Sequence, residues 1–516
     1  MIGGARIPGD FNWERSRVHR QGGKFYSSMG IRIQNMEVLL STGNFSGRKA
    51  MLPILEAGLQ AADPYANARK LIRVENGKLI VGNKEFEPGG SPRTGDEVYD
   101  LSRLGRIYML GAGKGIQNVA KAIEDVLGDR LTGGHVIDKK GHPLILKRIG
   151  VTLGGHPTPD EDCVKGCERI LEITRDLTER DLVFTCAANG VSSLLTMPVP
   201  GISVEDLRQT TMVTQIERGM PTRHLSPIRN HLDRMKGGRI SRYIHPAKMI
   251  HILAIDPGEY DQRMHENYWL HTLPDSTTFQ EAIDNLKRWK ALEAVPAAVR
   301  RHLEEADPEQ ETLKAKDFAK MSFRIFGLMP GYWQSGKLLS AMKKAEELGF
   351  KAIMVADQLI EIEASQAGTY MAAIANTVER KGLPCDPPCA LFSSGELVVT
   401  VGQEKGIGGR NQEFALSAAL RIAGSKNIVI ASVDTDGTDG PGSQFIAGSA
   451  DIPCLAGGIV DGRTVESAKK LGVDIVGELK RHNTSPALWR LNSGIVATPN
   501  ISLIDLTVAL IMGRWA

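Results

Sequence analysis

The hydrophobic pattern of this chain switches repeatedly between helical and strand-like spacing. Apolar Met51, Leu52, Ile54, Leu55 and Leu59 share one face and predict a helix over Arg48–Ala62. Lys70–Val81 alternates around Glu75-Asn76-Gly77, the signature of a hairpin. Short apolar runs then take turns with amphipathic stretches. The predicted elements are strand Arg106–Leu110, helix Ile116–Leu127, helix Glu168–Thr178, strand Asp181–Cys186 and strand His251–Asp256. Strands alternating with helices predict an α/β protein built on a doubly wound parallel, Rossmann-like sheet. Farther on, Glu281 to Ala306 has helical spacing and the charged stretch Glu304–Lys316 has the character of a linker. Helix Lys337–Leu348, strand Lys351–Ala356 and helix Glu363–Arg380 follow, and Pro384-Cys385-Asp386-Pro387-Pro388 interrupts the chain. Beyond it come strand Leu397–Val401, helix Phe414–Ala423 and strand Ile428–Ala431. The expected organisation is an N-terminal extension at 1–44, a Rossmann-like domain at 45–330, a connecting α/β segment at 331–390 and a second, smaller α/β domain at 391–516.

Composition narrows the function classes. A chain of 516 residues with 42% hydrophobic and 24% charged residues has the make-up of a soluble globular protein. Lys and Arg number 63 against 60 Asp and Glu, a net charge of +3, so neither nucleic acid nor an anionic membrane is expected as a partner. Basic residues between Arg218 and Arg242 are interrupted by Gly, His and Asp, which suits a local anion site. The six cysteines include the pairs Cys163/Cys167 and Cys385/Cys389 without a matching histidine pair, so free thiols in a reducing cytosol are expected. No signal core and no run of ~20 apolar residues is present, which predicts a cytoplasmic protein.

Two segments carry the chemistry. Gly408-Gly409-Arg410-Asn411-Gln412-Glu413 puts a guanidinium, two amides and a carboxylate at the mouth of an apolar helix. Asp434-Thr435-Asp436-Gly437-Thr438-Asp439-Gly440 hangs three carboxylates on a glycine-loosened turn after a strand. A guanidinium beside clustered acids suits a phosphorylated ligand and a hard cation. A third segment, Gly111-Ala112-Gly113-Lys114, places a lysine on a turn between strand and helix, where amides and charge favour phosphate. It is not the dinucleotide fingerprint, because Ile116 occupies the place of the last glycine.

Together GGRNQE and DTDGTDGP resemble the MOFRL domain of the glycerate 2-kinase family. Gly155-His156-Pro157-Thr158-Pro159-Asp160-Glu161, Lys236-Gly237-Gly238-Arg239 and His482-Asn483-Thr484-Ser485-Pro486 resemble that family too, in its order, from about residue 45 onward. The resemblance implies an ATP- and Mg2+-dependent kinase acting on the 2-hydroxyl of D-glycerate or a related hydroxy acid, with its site closing between domains. It implies Lys114 and Arg410 as the groups that neutralise the transferring phosphoryl. Gly111, Gly113, Asn411 and Glu413 would serve nucleotide or phosphate binding. Asn189, Gly190 and Ser192 would do the same, in a loop that departs from the family's S-G-G-G-S. His156, Lys236 and Arg239 would hold substrate, in a stretch where Arg229 and His231 also match. Asp434, Asp436, Asp439 and Glu396 would supply metal ligands.

Departures from the family bear on the acceptor. Tyr268-Trp269-Leu270-His271 replaces a run of small residues, so Trp269 and His271 are expected either to line a reshaped acceptor pocket or to fill a core gap. Ser493 to Asn500 departs as well. A kinase of a bulkier substrate and a catalytically weakened metabolite-binding relative stand as alternatives, with a hydroxypyruvate reductase ranked last. The oligomeric state stays open, a homodimer included.

Overall fold

The computed structural model describes residues 30–61, 63–329, 335–440, 452–499 and 504–514. Most of the expected N-terminal extension, residues 1–29, lies outside the described residues.

Six parallel strands form the first sheet, in the spatial order Gly150–Gly154, Gly133–Lys139, Ile107–Ala112, Leu182–Ala187, Lys248–Leu253, Phe323–Gly327. Leu182–Ala187 is buried along its whole length, as a strand covered on both faces must be. Alternate side chains divide between the two faces. Met109, Phe184 and Ile250 pack under helices Pro64–Leu71 and Ile116–Leu127. Leu110, Val183 and Met249 pack under helices Glu161–Thr174 and Arg239–Ile244. The chain order reverses between Ile107–Ala112 and Leu182–Ala187, which opens a crevice at their carboxyl ends.

The second sheet is mixed: Lys351–Ala356, Cys389–Gly395, Asp505–Ile511, Ile428–Asp434, Gly457–Asp461, Gly494–Ile495. Only its first pair is parallel. Residues 335–390, expected as a connector, supply an edge strand and two helices to this unit. Helix Phe45–Ala61 also belongs here by its packing, because Met51, Leu52, Leu55 and Leu59 lie with Leu338, Val429 and Leu510 in one apolar cluster. Arg48 anchors it: its Nε donates to Asp461 at 2.7 Å, and both side chains are buried.

Several elements differ from expectation. Leu397–Val401 is not a strand; the chain pairs earlier, in the buried run Cys389–Gly395. Leu397–Val401 is the more apolar run, but the observed strand carries Ser393 and Ser394 near its end, whose hydroxyls bond to Thr507 and Asp505 of the neighbouring strand. The helix expected from Glu281 to Ala306 breaks into Phe279–Arg288 and Ala297–Glu305. Lys290 takes a left-handed φ of 52° there, and Pro296 stands immediately before the second helix. Among the described residues no helix is long and apolar enough to cross a membrane.

Candidate active site

Lys114 leaves the end of strand Ile107–Ala112 at the switch point. Gly111 and Gly113 let this turn press against its neighbour: a Cβ on Gly113 would stand 2.5 Å from that of Ala188. The amides of Gly113, Lys114 and Gly115 donate to Ile137 O, Asn189 O and the Asp138 carboxylate. The expectation that Gly111 and Gly113 open amides to a phosphate is therefore corrected. These amides are spent inside the protein, and the turn offers the Lys114 side chain instead.

The second turn, Ala188 to Ser192, lies alongside. Gly190 alone carries the left-handed backbone, with φ 80°. It sits between His156 and Lys114, close enough that a Cβ would reach 2.8 Å from the His156 ring. Asn189 contributes its carbonyl to Lys114 N at 2.8 Å. Ser192 Oγ meets His271 Nε2 at 2.8 Å. Burial first, and then the charges of neighbouring cations, hold His156 and His271 well below the ordinary histidine range. Both rings are thus neutral, and the Nδ1 of each is buried without a hydrogen-bond partner among the described residues.

From the second unit, the turn after strand Ile428–Asp434 enters this crevice. Lys114 Nζ forms an ion pair with Asp436. Burial opposes the charge of Lys114, but the carboxylates of Asp436 and Asp434 outweigh it and raise the ammonium above its ordinary value. Thr438 holds the other Asp436 oxygen through its amide at 2.7 Å and its hydroxyl at 2.9 Å. Lys139, buried at the end of its strand, reaches Gly440 O at 3.4 Å across the same boundary.

Arg410 opens helix Arg410–Arg421. Its Nε donates to both oxygens of Asp505 at 2.9 Å, its Nη2 to Asp434 at 2.9 Å, and its Nη1 approaches Glu396 at 3.4 Å. Asp505 stands directly opposite Asp434 on the neighbouring strand. Burial and mutual repulsion push two acids up despite the guanidinium: Asp439 to about 7 and Asp505 to about 6. Lys337, whose Nζ donates to Asp505 O at 2.9 Å, is drawn down to about 7 by burial, against the pull of Asp505 and Asp434. Asn411 and Glu413 are internal to this network. Asn411 Nδ2 donates to Asp505 at 2.7 Å, and Glu413 accepts from His482 Nδ1 at 2.6 Å. Asn411 thus braces the acids, and Glu413 is held by His482.

The remaining expected residues divide. Lys236 pairs with Asp233 at 2.6 Å and donates to Thr196 at 2.9 Å. Arg239 turns its Nη atoms onto the carbonyls of Asn230, Asp233, Lys236 and Gln310. Arg239 therefore ties loops together, and its expected hold on an acid group is corrected. Trp269, partly buried, packs against the apolar cluster of the first unit that includes Leu270. His271 does reach the crevice, through Ser192. Among the described residues no group of three or more His, Cys, Asp or Glu side chains is disposed to hold a metal ion. Asp434 and Asp436 spend their charge on Arg410 and Lys114. Lys139 and Lys337 were missed because each lies outside any motif, and Asp505, which resumes the family pattern after the departure at Ser493 to Asn500, was given no role.

A cationic crevice at the switch point of a parallel sheet, met by an acidic turn from a second α/β unit, suits phosphoryl transfer. Comparison with known proteins makes the class a phosphotransferase that acts on an alcohol group. Residues 50–304 match the family described as a domain of unknown function (DUF4147), and residues 389–502 match the MOFRL family. The chain is 32% identical over 467 residues to the glycerate 2-kinase of Pyrococcus horikoshii, covering 90% of this chain and 97% of that one. The crystal structure of glycerate kinase from Thermotoga maritima superposes with a TM-score of 0.64 at 29% identity, covering 90% of this chain and 99% of the other. A relative from Agrobacterium vitis, 29% identical over 412 residues and covering 80% of this chain and 100% of its own, bears the provisional name hydroxypyruvate reductase. The chain belongs to the glycerate 2-kinase family.

Proposed function

We propose that the protein transfers the γ-phosphoryl group of ATP to the 2-hydroxyl of D-glycerate in the presence of magnesium. The observation that carries this reading is the Lys114–Asp436 pair, which sets a cation of the first unit against an acid of the second at the switch-point crevice. Phosphoryl transfer asks a protein mainly for positioning and charge stabilisation. Lys114, once a phosphoryl oxygen replaces Asp436 as its partner, neutralises charge on the transferring group. Arg410 keeps its Nε and Nη2 on Asp505 and Asp434, which leaves Nη1 on the more exposed side for a ligand oxygen. The neutral His156 stands beside Lys114 and Gly190, where it can hydrogen-bond a hydroxyl without adding charge.

A ligand that draws Lys114 off Asp436 would free that carboxylate for magnesium. Burial and the neighbouring Asp505 and Asp434 raise Asp439 in spite of Arg410, so its charged form lacks a full counter-charge, which a divalent cation would supply. Magnesium commonly takes one or two carboxylates and several waters. The Asp434–Asp439 turn would hold it, and the ion would neutralise phosphate oxygens when bound.

The test is ADP release from ATP and D-glycerate with and without magnesium, with the product identified by phosphorus NMR. Magnesium-dependent formation of 2-phosphoglycerate is expected. A 3-phospho product, or no release of ADP, overturns the reading.

A further inference from the structure

The cations around the crevice are mostly neutralised or tied down. Lys114 faces Asp436, Lys236 faces Asp233, and Arg239 is bound to carbonyls. Arg229 differs. Its guanidinium forms no ion pair with a carboxylate among the described residues; its Nη2 donates to Gln215 Oε1 at 2.5 Å. The side chain is half-buried on helix Thr222–His231. Burial alone lowers its pKa to about 10, with no acid nearby to restore it. A guanidinium withdrawn from water without a counter-ion is costly unless a ligand supplies one.

The surroundings say which anion fits. Arg229 lines a narrow cavity with Ser192, Ser193, Thr196, Thr214 and Lys236, and its free volume is about 20 Å³. A narrow polar cavity of this size suits a small anionic head such as a carboxylate better than a whole nucleotide. The wall that carries Thr214 and Gln215 is a π-helical segment, Met212–Glu217, a rare geometry that often re-aims side chains at functional sites. His156 feels the charges of both Lys114 and Arg229, and His271 feels those of Lys236 and Arg229. The two neutral imidazoles therefore stand near Arg229, and His156 near Lys114 as well.

We propose that Arg229 is the anchor for the acceptor's carboxylate, presented by Gln215 and the π-helical wall, so that the acceptor hydroxyl is turned toward Lys114 and the Asp436 turn. A planar guanidinium matches a carboxylate with two parallel N–H···O bonds, which fixes orientation as well as affinity. This assignment replaces Arg239, and it rests on the proposed hydroxy-acid acceptor.

Calorimetric titration of D-glycerate and of its neutral amide, glyceramide, into the full-length protein tests it without requiring turnover. The wild type is expected to bind the acid about 30-fold or more tightly than the amide. Arg229→Met is expected to lose that preference while binding ATP as before, and Arg229→Lys to keep part of it. No preference for the acid in the wild type, or an unchanged preference in Arg229→Met, overturns the anchor. The wild-type comparison stands even if a variant misfolds. Acid preference without ADP release would leave the anchor standing and remove the kinase reading.

Discussion

Lys114 and Asp436, from different sheets, form an ion pair with both side chains almost wholly buried. Removing either partner of such a pair leaves an uncompensated charge in a poorly hydrated place. The pair thus couples the two units, and a ligand that takes over Lys114 must also leave Asp436 a new partner. A phosphoryl group together with a cation satisfies both demands, which links ligand binding to the relative placement of the units.

Lys114→Met is expected to reduce phosphoryl transfer by about a hundredfold or more, since a cation at the transferring group contributes a few kcal/mol to the transition state. ADP release measures the rate, and circular dichroism checks the fold. Turnover within threefold of wild type would remove Lys114 from the reaction.

Asp436→Asn is expected to raise the magnesium concentration needed for half-maximal activity, because an anionic group of the turn becomes neutral. A magnesium titration of ADP release checks this. An unchanged titration would make the turn a structural partner of Lys114 alone.

Arg410 is tied into the fold more deeply than a ligand-facing cation needs to be. Arg410→Met leaves Asp434 and Asp505 facing each other across adjacent strands, and a loss of about 3–5 kcal/mol is expected in urea unfolding. Adding Asp505→Asn to that variant is expected to restore part of the loss by removing one of the repelling charges. A double variant no more stable than the single one would show that repulsion is not the cause.

His251 makes stability depend on pH. It is fully buried on the central sheet, Thr185 bonds its Nδ1 at 2.7 Å, and burial lowers it from 6.5 to about 3. The unfolded chain therefore binds a proton between about pH 6.5 and 3 that the folded chain refuses. Stability present above pH 6.5 is lost as pH falls through this window, by about 1.4 kcal/mol per pH unit. Urea midpoints from pH 7 to 4 should show a shallower decline for His251→Leu than for wild type.

Trp269→Ala is expected to cost about 2 kcal/mol or more, because the indole packs against the core of the first unit. The preference between D-glycerate and larger hydroxy acids should stay as in wild type. A changed preference at unchanged stability would return Trp269 to the acceptor pocket.

Much of the architecture was legible in local pattern. The parallel sheet followed from strands alternating with helices, and helix Ile116–Leu127 emerged at its expected bounds. Buried strands such as Gly133–Lys139 and Phe323–Gly327 escaped detection because their residues are neither continuously apolar nor alternating. The family followed from motifs whose glycines and charges sit at fixed spacing.

What local pattern could not supply was the partner of each charge. Lys236 and Arg239 look in sequence like open cations, yet folding brings Asp233 to one and four carbonyls to the other. Arg229 looks no different from them, yet among the described residues it forms no ion pair with an acid and donates to the Gln215 amide oxygen. Asp505 resumes the family pattern in sequence but shows no partner there, and only the pairing of its strand with Ile428–Asp434 sets it beside Arg410. Residue type and spacing dictate which elements form, because backbone geometry and burial act over a few residues. Whether a charge is spent on the fold or left for a ligand depends on groups hundreds of positions away, and those distances exist only once the chain has packed.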